Sequence, residues 1–225
     1  PMTVPGEDGG FAVITTGVTK AVLRHPRFKF RPSQCDALHL DVRHKGENVL
    51  RDAGTYSYNT DPEIMAYFNG AAGHNTVQFD GSDQMPRLGR FLLGDWLTTR
   101  DFKAPSETDK SVTAAYKNRA GHSHTRSVTQ DEAGLTVTDS IDGFIDNAVL
   151  RWRLTSGHYS LDVIASAHLV LGGAHVWTPI SSRVPVSPPL LEKNESLHYF
   201  SKTPLPVLEI TAQIAGTLTT KIEFT

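Results

Sequence analysis

The chain has 225 residues, 39% of them hydrophobic and 20% charged, and a formal net charge of −2. That is enough material for a sizeable core, and we expect one large domain over residues 1–225. The near-neutral balance excludes a strongly basic nucleic-acid binder, so an anionic partner must be held by a local patch. A single cysteine, Cys35, rules out an intrachain disulfide, and its setting reads as a half-buried thiol rather than a nucleophile. No apolar run is long enough for a membrane span, and no secretion signal opens the sequence.

Short β-branched runs broken by Gly, Pro, Asn or Asp recur along the chain, which predicts an all-β fold, a large antiparallel β-sandwich with at most one or two short helices. Residues 11–15 and 18–23 form a hairpin across Thr16 and Gly17 in this reading. Leu38, Leu40 and Val42 alternate with His39, Asp41 and Arg43, the period of a strand with one apolar face, which puts His39 on the polar side. Asn48 to Leu50 follow as a strand that ends beside Asp52. Asp61 to Phe68 is the best helix candidate, with Asp61 as cap, Pro62 at the first position, and Ile64, Tyr67 and Phe68 on one face. Strands are expected at 75–79, at 90–99 as one long run bulged at Gly94, and as a meander at 111–116, 124–130, 135–141 and 149–154. Further strands are read at 164–171, 175–179, 208–214 and 219–224, with a Pro-rich breaker at 184–190.

Polar and aromatic groups concentrate between Asp52 and Gln84, more than folding requires. Loops held between strands are where such groups tend to act. The order D-x-G-T-Y-x-Y (Asp52 to Tyr58), the pair Tyr67-Phe68, G-x-x-x-H-N-T-V around His74, and D-G-x-D-Q ending at Gln84 resembles the C-terminal β-domain of the heparinase II/III-like polysaccharide lyases. Cys35 to Val42, CDALHLDV, is similar to a strand of the same domain, and the match is good from about residue 10 to about residue 142. The resemblance implies a bacterial, periplasmic or secreted protein acting on acidic polysaccharide by β-elimination. It also implies an N-terminal α/α-toroid, contributed by the same parent chain and carrying most of the catalytic groups. The polar start at Pro1 is read as that of a fragment lacking it, and the fragment alone is expected to be inactive. Neither nucleic acid nor membrane is an expected partner.

Carried over residue by residue, the resemblance makes Asp52 and His74 metal ligands, for zinc or calcium, with Gln34 at the third ligand position. There the family's H-x-H-x-D element is replaced by Pro32-Ser33-Gln34-Cys35-Asp36. An amide oxygen is a poor zinc ligand, so the residues favour no metal at all and a hydrogen-bonded trio instead. For the lyase chemistry, Tyr58 and Tyr56 are the proton-carrying candidates, with His74 assisting. Asn75, Gln84, Arg87 and Arg90 are candidates for holding substrate. The pair His122 and His124, with Arg126 on the same strand face, is read as a solvated surface. Loss of the H-x-H element leaves a second reading open: a non-catalytic carbohydrate-binding or structural β-sandwich in exopolysaccharide assembly. A metal hydrolase built on the ten histidines is a third.

Overall fold

The computed structural model describes residues 9–155, 161–163, 166–171, 174–179 and 190–224. Its first sheet is a meander, β1 (Phe11–Thr16), β2 (Thr19–Arg24), β3 (Leu40–His44) and β4 (Glu47–Leu50), paired in that order. Ala12, Ile14, Ala21, Leu23, Leu40 and Val42 alternate inward. The one α-helix among the described residues, α1 (Pro62–Asn69), begins with proline after Asp61. The Asp61 side chain makes no capping bond; its carbonyl accepts the Met65 N–H instead. Met65 and Phe68 are the residues α1 buries fully.

The chain then runs through β5 (Val77–Phe79), the small hairpin β6 (Arg87–Gly89) and β7 (Leu92–Leu93), β8 (Arg100–Lys103), β9 (Ser111–Lys117), β10 (Ser123–Gln130), β11 (Gly134–Asp142) and β12 (Ala148–Arg153). It closes with β13 (Leu161–Val163), β14 (Ser166–Leu171), β15 (Ala174–Pro179), β16 (Leu190–Glu195), β17 (Thr203–Ala212) and β18 (Gly216–Phe224). An eight-stranded antiparallel sheet has the order β13-β14-β15-β18-β11-β10-β9-β8, and a third sheet the order β16-β17-β12-β5. A bridge between Leu50 and Leu154, with Arg51 N–H donating to Arg153 O, runs the first sheet into the third. Together these two form the layer that faces the eight-stranded sheet, so the fold is the expected all-β sandwich. Trp152 of one layer donates through its indole N–H to Thr220 Oγ1 of the other, 3.1 Å away.

The single long strand expected over 90–99 does not form. Leu92 and Leu93 fold back onto Arg87 to Gly89, Gly94 N–H bonds Pro86 O, and Asp95 takes a positive φ of 45°, which ends any extended run. The strands β8 and β16 were not anticipated. The Pro-rich breaker lies largely outside the described residues, and Leu190, its last residue, opens β16. The expected polar surface on β10 is also corrected: His122, His124 and Arg126 are all buried. Arg126 pairs in register with Asp139 of β11, which supplies the carboxylate that makes burial of a guanidinium tolerable. Cys35 is fully buried, its thiol donates toward Met85 O, and burial pushes it up to about 12, so it is no nucleophile.

Candidate active site: a buried imidazole pair and an aromatic cavity

The loop after β4 turns because Asp52 Oδ1 accepts the Gly54 N–H at 2.6 Å. Gly54 itself has φ +81°, and a Cβ there would stand 2.1 Å from Ser196 O; only glycine lets these two segments meet. Ala53 N–H reaches Gly73 O, which draws the end of the α1 connection against the same loop. His74 is thereby delivered to Asp52: its Nδ1 lies 2.5 Å from Asp52 Oδ2.

His74 is completely buried, while the Asp52 side chain is partly open. Burial pushes the His74 imidazole toward its neutral form, but the Asp52 charge and hydrogen bond, with Asp36 beyond, outweigh it and the net shift is upward. Desolvation likewise works against the Asp52 carboxylate, and the His74 charge and hydrogen bond overcome it, holding Asp52 well below the usual carboxylate range.

His39 completes the cluster. Its ring stands edge-on to His74 with centroids 5.5 Å apart, and the ligand-capable atoms of His39, Asp52 and His74 lie within 4.8 Å of one another. The strand pattern placed His39 on a polar face; instead the 74–76 segment covers it. Asn75 N–H donates to His39 Nδ1 at 2.9 Å, and burial lowers its imidazole to about 3.

These three groups do not fit a resident metal. A backbone N–H can only donate, so His39 Nδ1 must accept and the ring's proton sits on Nε2; no lone pair remains to bind an ion. A histidine ligand normally has the opposite arrangement, donating its other N–H outward. Asp52 occupies the Nδ1 edge of His74, whereas the unpartnered buried nitrogen of that ring, Nε2, points away from the carboxylate. Zinc requires three or four ligands, and with His39 committed to the Asn75 N–H the trio offers at most two. Gln34, the expected third ligand, lines a cavity to whose wall none of the three contributes, while Cys35 beside it turns inward with its N–H fixed to Asn69 O.

That cavity has a volume of about 230 Å³ and brings together Gln34, Tyr58 and Arg90 from the sequence-based candidates. Arg31, Asn69 and Phe91 also line it. Its wall carries two guanidinium groups and no carboxylate. Arg90 Nη1 donates to Asn59 Oδ1, which steadies the cation beside the opening. Tyr58 is exposed, whereas Tyr56 is half-buried with its ring stacked near Phe68 and Lys202 Nζ 4.5 Å over its face.

Two expected substrate contacts are corrected. Asn75 is fully buried: its Nδ2 donates to Leu40 O and Arg51 O, and its Oδ1 accepts Arg153 N–H. Gln84 is buried too, in a two-way pairing with the backbone of Ala37. Both amides are frame, not site, because every polar atom they offer is engaged inside the protein. Arg87 stands apart from the cavity, in an open groove with Asp83 and Arg119.

Sequence reasoning missed Arg126. Its Nη1 donates to both Leu38 O and Asn75 O at 2.5 Å, gripping the residues next to His39 and His74. Its Nε and Nη2 hold Asp139, which also takes His124 Nε2 at 2.7 Å. The signal was available: an Arg and an Asp that face each other across the β10–β11 hairpin.

Among solved structures the chain is similar to heparan sulfate lyase HepC from Pedobacter heparinus (19% identity, TM-score 0.74, 97% of this chain and 36% of that one). It is similar also to a heparinase III (15% identity, TM-score 0.74, 97% and 36%). At such identities the likeness shows the fold, and the chain spans about a third of the length of those structures. No curated protein sequence matches it. The model of the family described as heparinase II/III-like, C-terminal, matches residues 1–225, and the chain belongs to that family.

Proposed function

We propose that this chain is the β-sandwich part of a polysaccharide lyase that cleaves uronate-containing polymers by β-elimination, working in the periplasm or outside the cell. The observation that carries the reading is the cavity of Tyr58, Gln34, Arg31 and Arg90, cationic and free of carboxylates, in a chain of this family. An α/α-toroid of the parent chain completes the cleft in this reading.

Elimination needs the C5 carboxylate neutralised, the C5 proton removed, and the departing glycosidic oxygen protonated. Arg31 and Arg90 supply positive charge for the carboxylate, and the Gln34 amide offers it an N–H donor. Tyr58, the exposed phenol of the cavity, is the proton carrier on this half of the cleft. His74 acts at one remove: it cannot touch a substrate, and its bond to Asp52 fixes the loop from which Thr55 and Tyr58 project. No step uses a metal.

The test is to express the longer natural chain, supply uronate polymers, and follow the ultraviolet absorbance of the unsaturated ends. A rise that falls at least about tenfold in a Tyr58→Phe variant supports the reading. No rise on any uronate polymer, with the chain folded, overturns it.

One observation favours a second reading. Gln34 stands where the family carries an imidazole, and a glutamine cannot move a proton at neutral pH. A module that holds acidic glycan without cutting it would bind the same polymers and leave the absorbance flat.

A further inference from the structure

Beyond the cavity the surface carries a row of rings. Phe91 meets Tyr58 (6.4 Å between centroids), Tyr58 meets Tyr199 (6.1 Å), Tyr199 meets Phe200 (4.9 Å), and Phe200 meets Tyr56 (5.5 Å). Tyr58, Phe91, Tyr199 and Phe200 are 52–61% exposed, although burying such side chains would stabilise the fold by roughly 1.5–3 kcal/mol each. Exposed apolar surface grouped in this way marks an interaction site.

The row is built into the backbone. Tyr56 and Phe200 both sit at φ +62°, a conformation that bulky residues rarely adopt, and Phe200 N–H donates to Tyr56 O at 2.9 Å, locking the two together. Ser57 Oγ donates to Tyr199 Oη, and Ser196 N–H donates to Ala53 O. The 196–202 segment between β16 and β17 is therefore fastened rigidly to the 53–58 loop. Two aromatic residues are held in a strained conformation, Tyr56 half-buried and Phe200 with its ring turned toward water.

Charge selects the occupant. Arg90 shares the cavity with Tyr58 and Phe91 at one end of the row, and Lys202 caps Tyr56 at the other. Pyranose rings lay their C–H faces on aromatic rings, and carboxylates or sulfates pair with cations at the ends. We infer that Tyr199, Phe200 and Lys202 form a binding subsite for an acidic oligosaccharide, which continues from the cavity along the surface. The subsite rests on the proposed lyase reading for its substrate class and extends that reading to a segment outside the Asp52–Gln84 stretch.

The experiment is affinity electrophoresis of the chain in native gels containing alginate, hyaluronan or heparan sulfate, with dextran as the neutral control. At least one uronate polymer retards the chain, dextran does not, and Tyr199→Ala and Phe200→Ala each weaken binding by about tenfold, the loss of one stacking partner. Lys202→Ala weakens it and reduces its salt dependence. All three side chains lie on the surface, and thermal melting checks that each variant stays folded. Variants that bind like the original chain overturn the subsite while leaving the lyase reading intact, because that reading is judged by absorbance. A chain retarded by none of the three polymers also overturns it, and assigns the row to packing against another protein surface.

Discussion

His39 accepts a backbone N–H through one nitrogen, and that bond decides both its charge and its role. Its imidazole is lowered to about 3 from 6.5, chiefly by burial. The folded state therefore excludes a proton that the unfolded chain takes up as soon as pH falls below about 6.5, and stability drops by up to about 1.4 kcal/mol per pH unit from this group. His124, lowered by burial as well, adds to the same acid limb. His74 has the opposite sign: its raised value gives stability that is whole below about pH 6.5 and is lost as pH rises through the folded value. Urea midpoints across pH 5–9 should thus peak near neutrality. His39→Gln, whose amide oxygen can still accept the Asn75 N–H, should flatten the acid limb; an unchanged limb would show that His39 is not held neutral. A chelator should leave the melting temperature of the original chain unmoved, since the trio offers no complete ligand set. The Asp52–His74 pair was legible from the spacing D-x-G-T-Y to H-N-T, which carries a resemblance. His39 was not, since strand alternation assigns a side to a residue but says nothing of what the other loops lay over that side.

At the scale of elements, β10 and β11 do more than complete a sheet. Arg126 on β10 ties Asp139 on β11 to the carbonyls of Leu38 and Asn75, so the eight-stranded sheet grips the two segments that carry the imidazoles. Its guanidinium also lies 4.9 Å from the centre of the Trp152 ring. Arg126→Met should cost roughly 3–5 kcal/mol, because Asp139 becomes a buried charge without its main partner. The double variant Arg126→Met, Asp139→Leu should recover part of that loss, which paired urea melts would reveal; a double variant no better than the single one would mean that the carbonyl contacts, not the charge pair, dominate. The hydrogen-bonding partners of Arg126 explain why its role escaped prediction. Two of the three lie on segments more than 50 residues away, and period-2 patterning treats any charged residue as outward. The error over 90–99 has a similar origin: seven of those ten residues are apolar or β-branched, yet the positive φ of Asp95 and the Gly94–Pro86 bond turn the run into a hairpin arm and a loop.

For the molecule as a whole, the decisive feature is that three sheets share one core. Ile14 and Leu23 of the first sheet, Val128 and Val137 of the eight-stranded sheet, and Leu150 and Ile210 of the third belong to one continuous apolar cluster. The meander patterning of β9 to β12 announced the sandwich, but the placement of β18 beside β11 and of β17 beside β12 could not be read locally, because those pairings join residues 54 to 89 positions apart. Such a core predicts cooperative behaviour. Far-ultraviolet circular dichroism, which reports the strands, and tryptophan fluorescence, to which the buried Trp152 contributes, should follow the same unfolding curve in urea. Leu150→Ala, at the centre of the third sheet, should destabilise by about 2–5 kcal/mol and move both curves together. If only the fluorescence curve moved while the strand signal held its midpoint, the layers would be unfolding separately, and residues 9–155 and 190–224 would not act as one domain. A common shift is what the cross-layer ties demand: Trp152 to Thr220, Arg126 to Leu38 and Asn75, and Gln130 to Thr19 each join strands or loops of opposite layers, so neither layer can open without exposing the polar groups of the other.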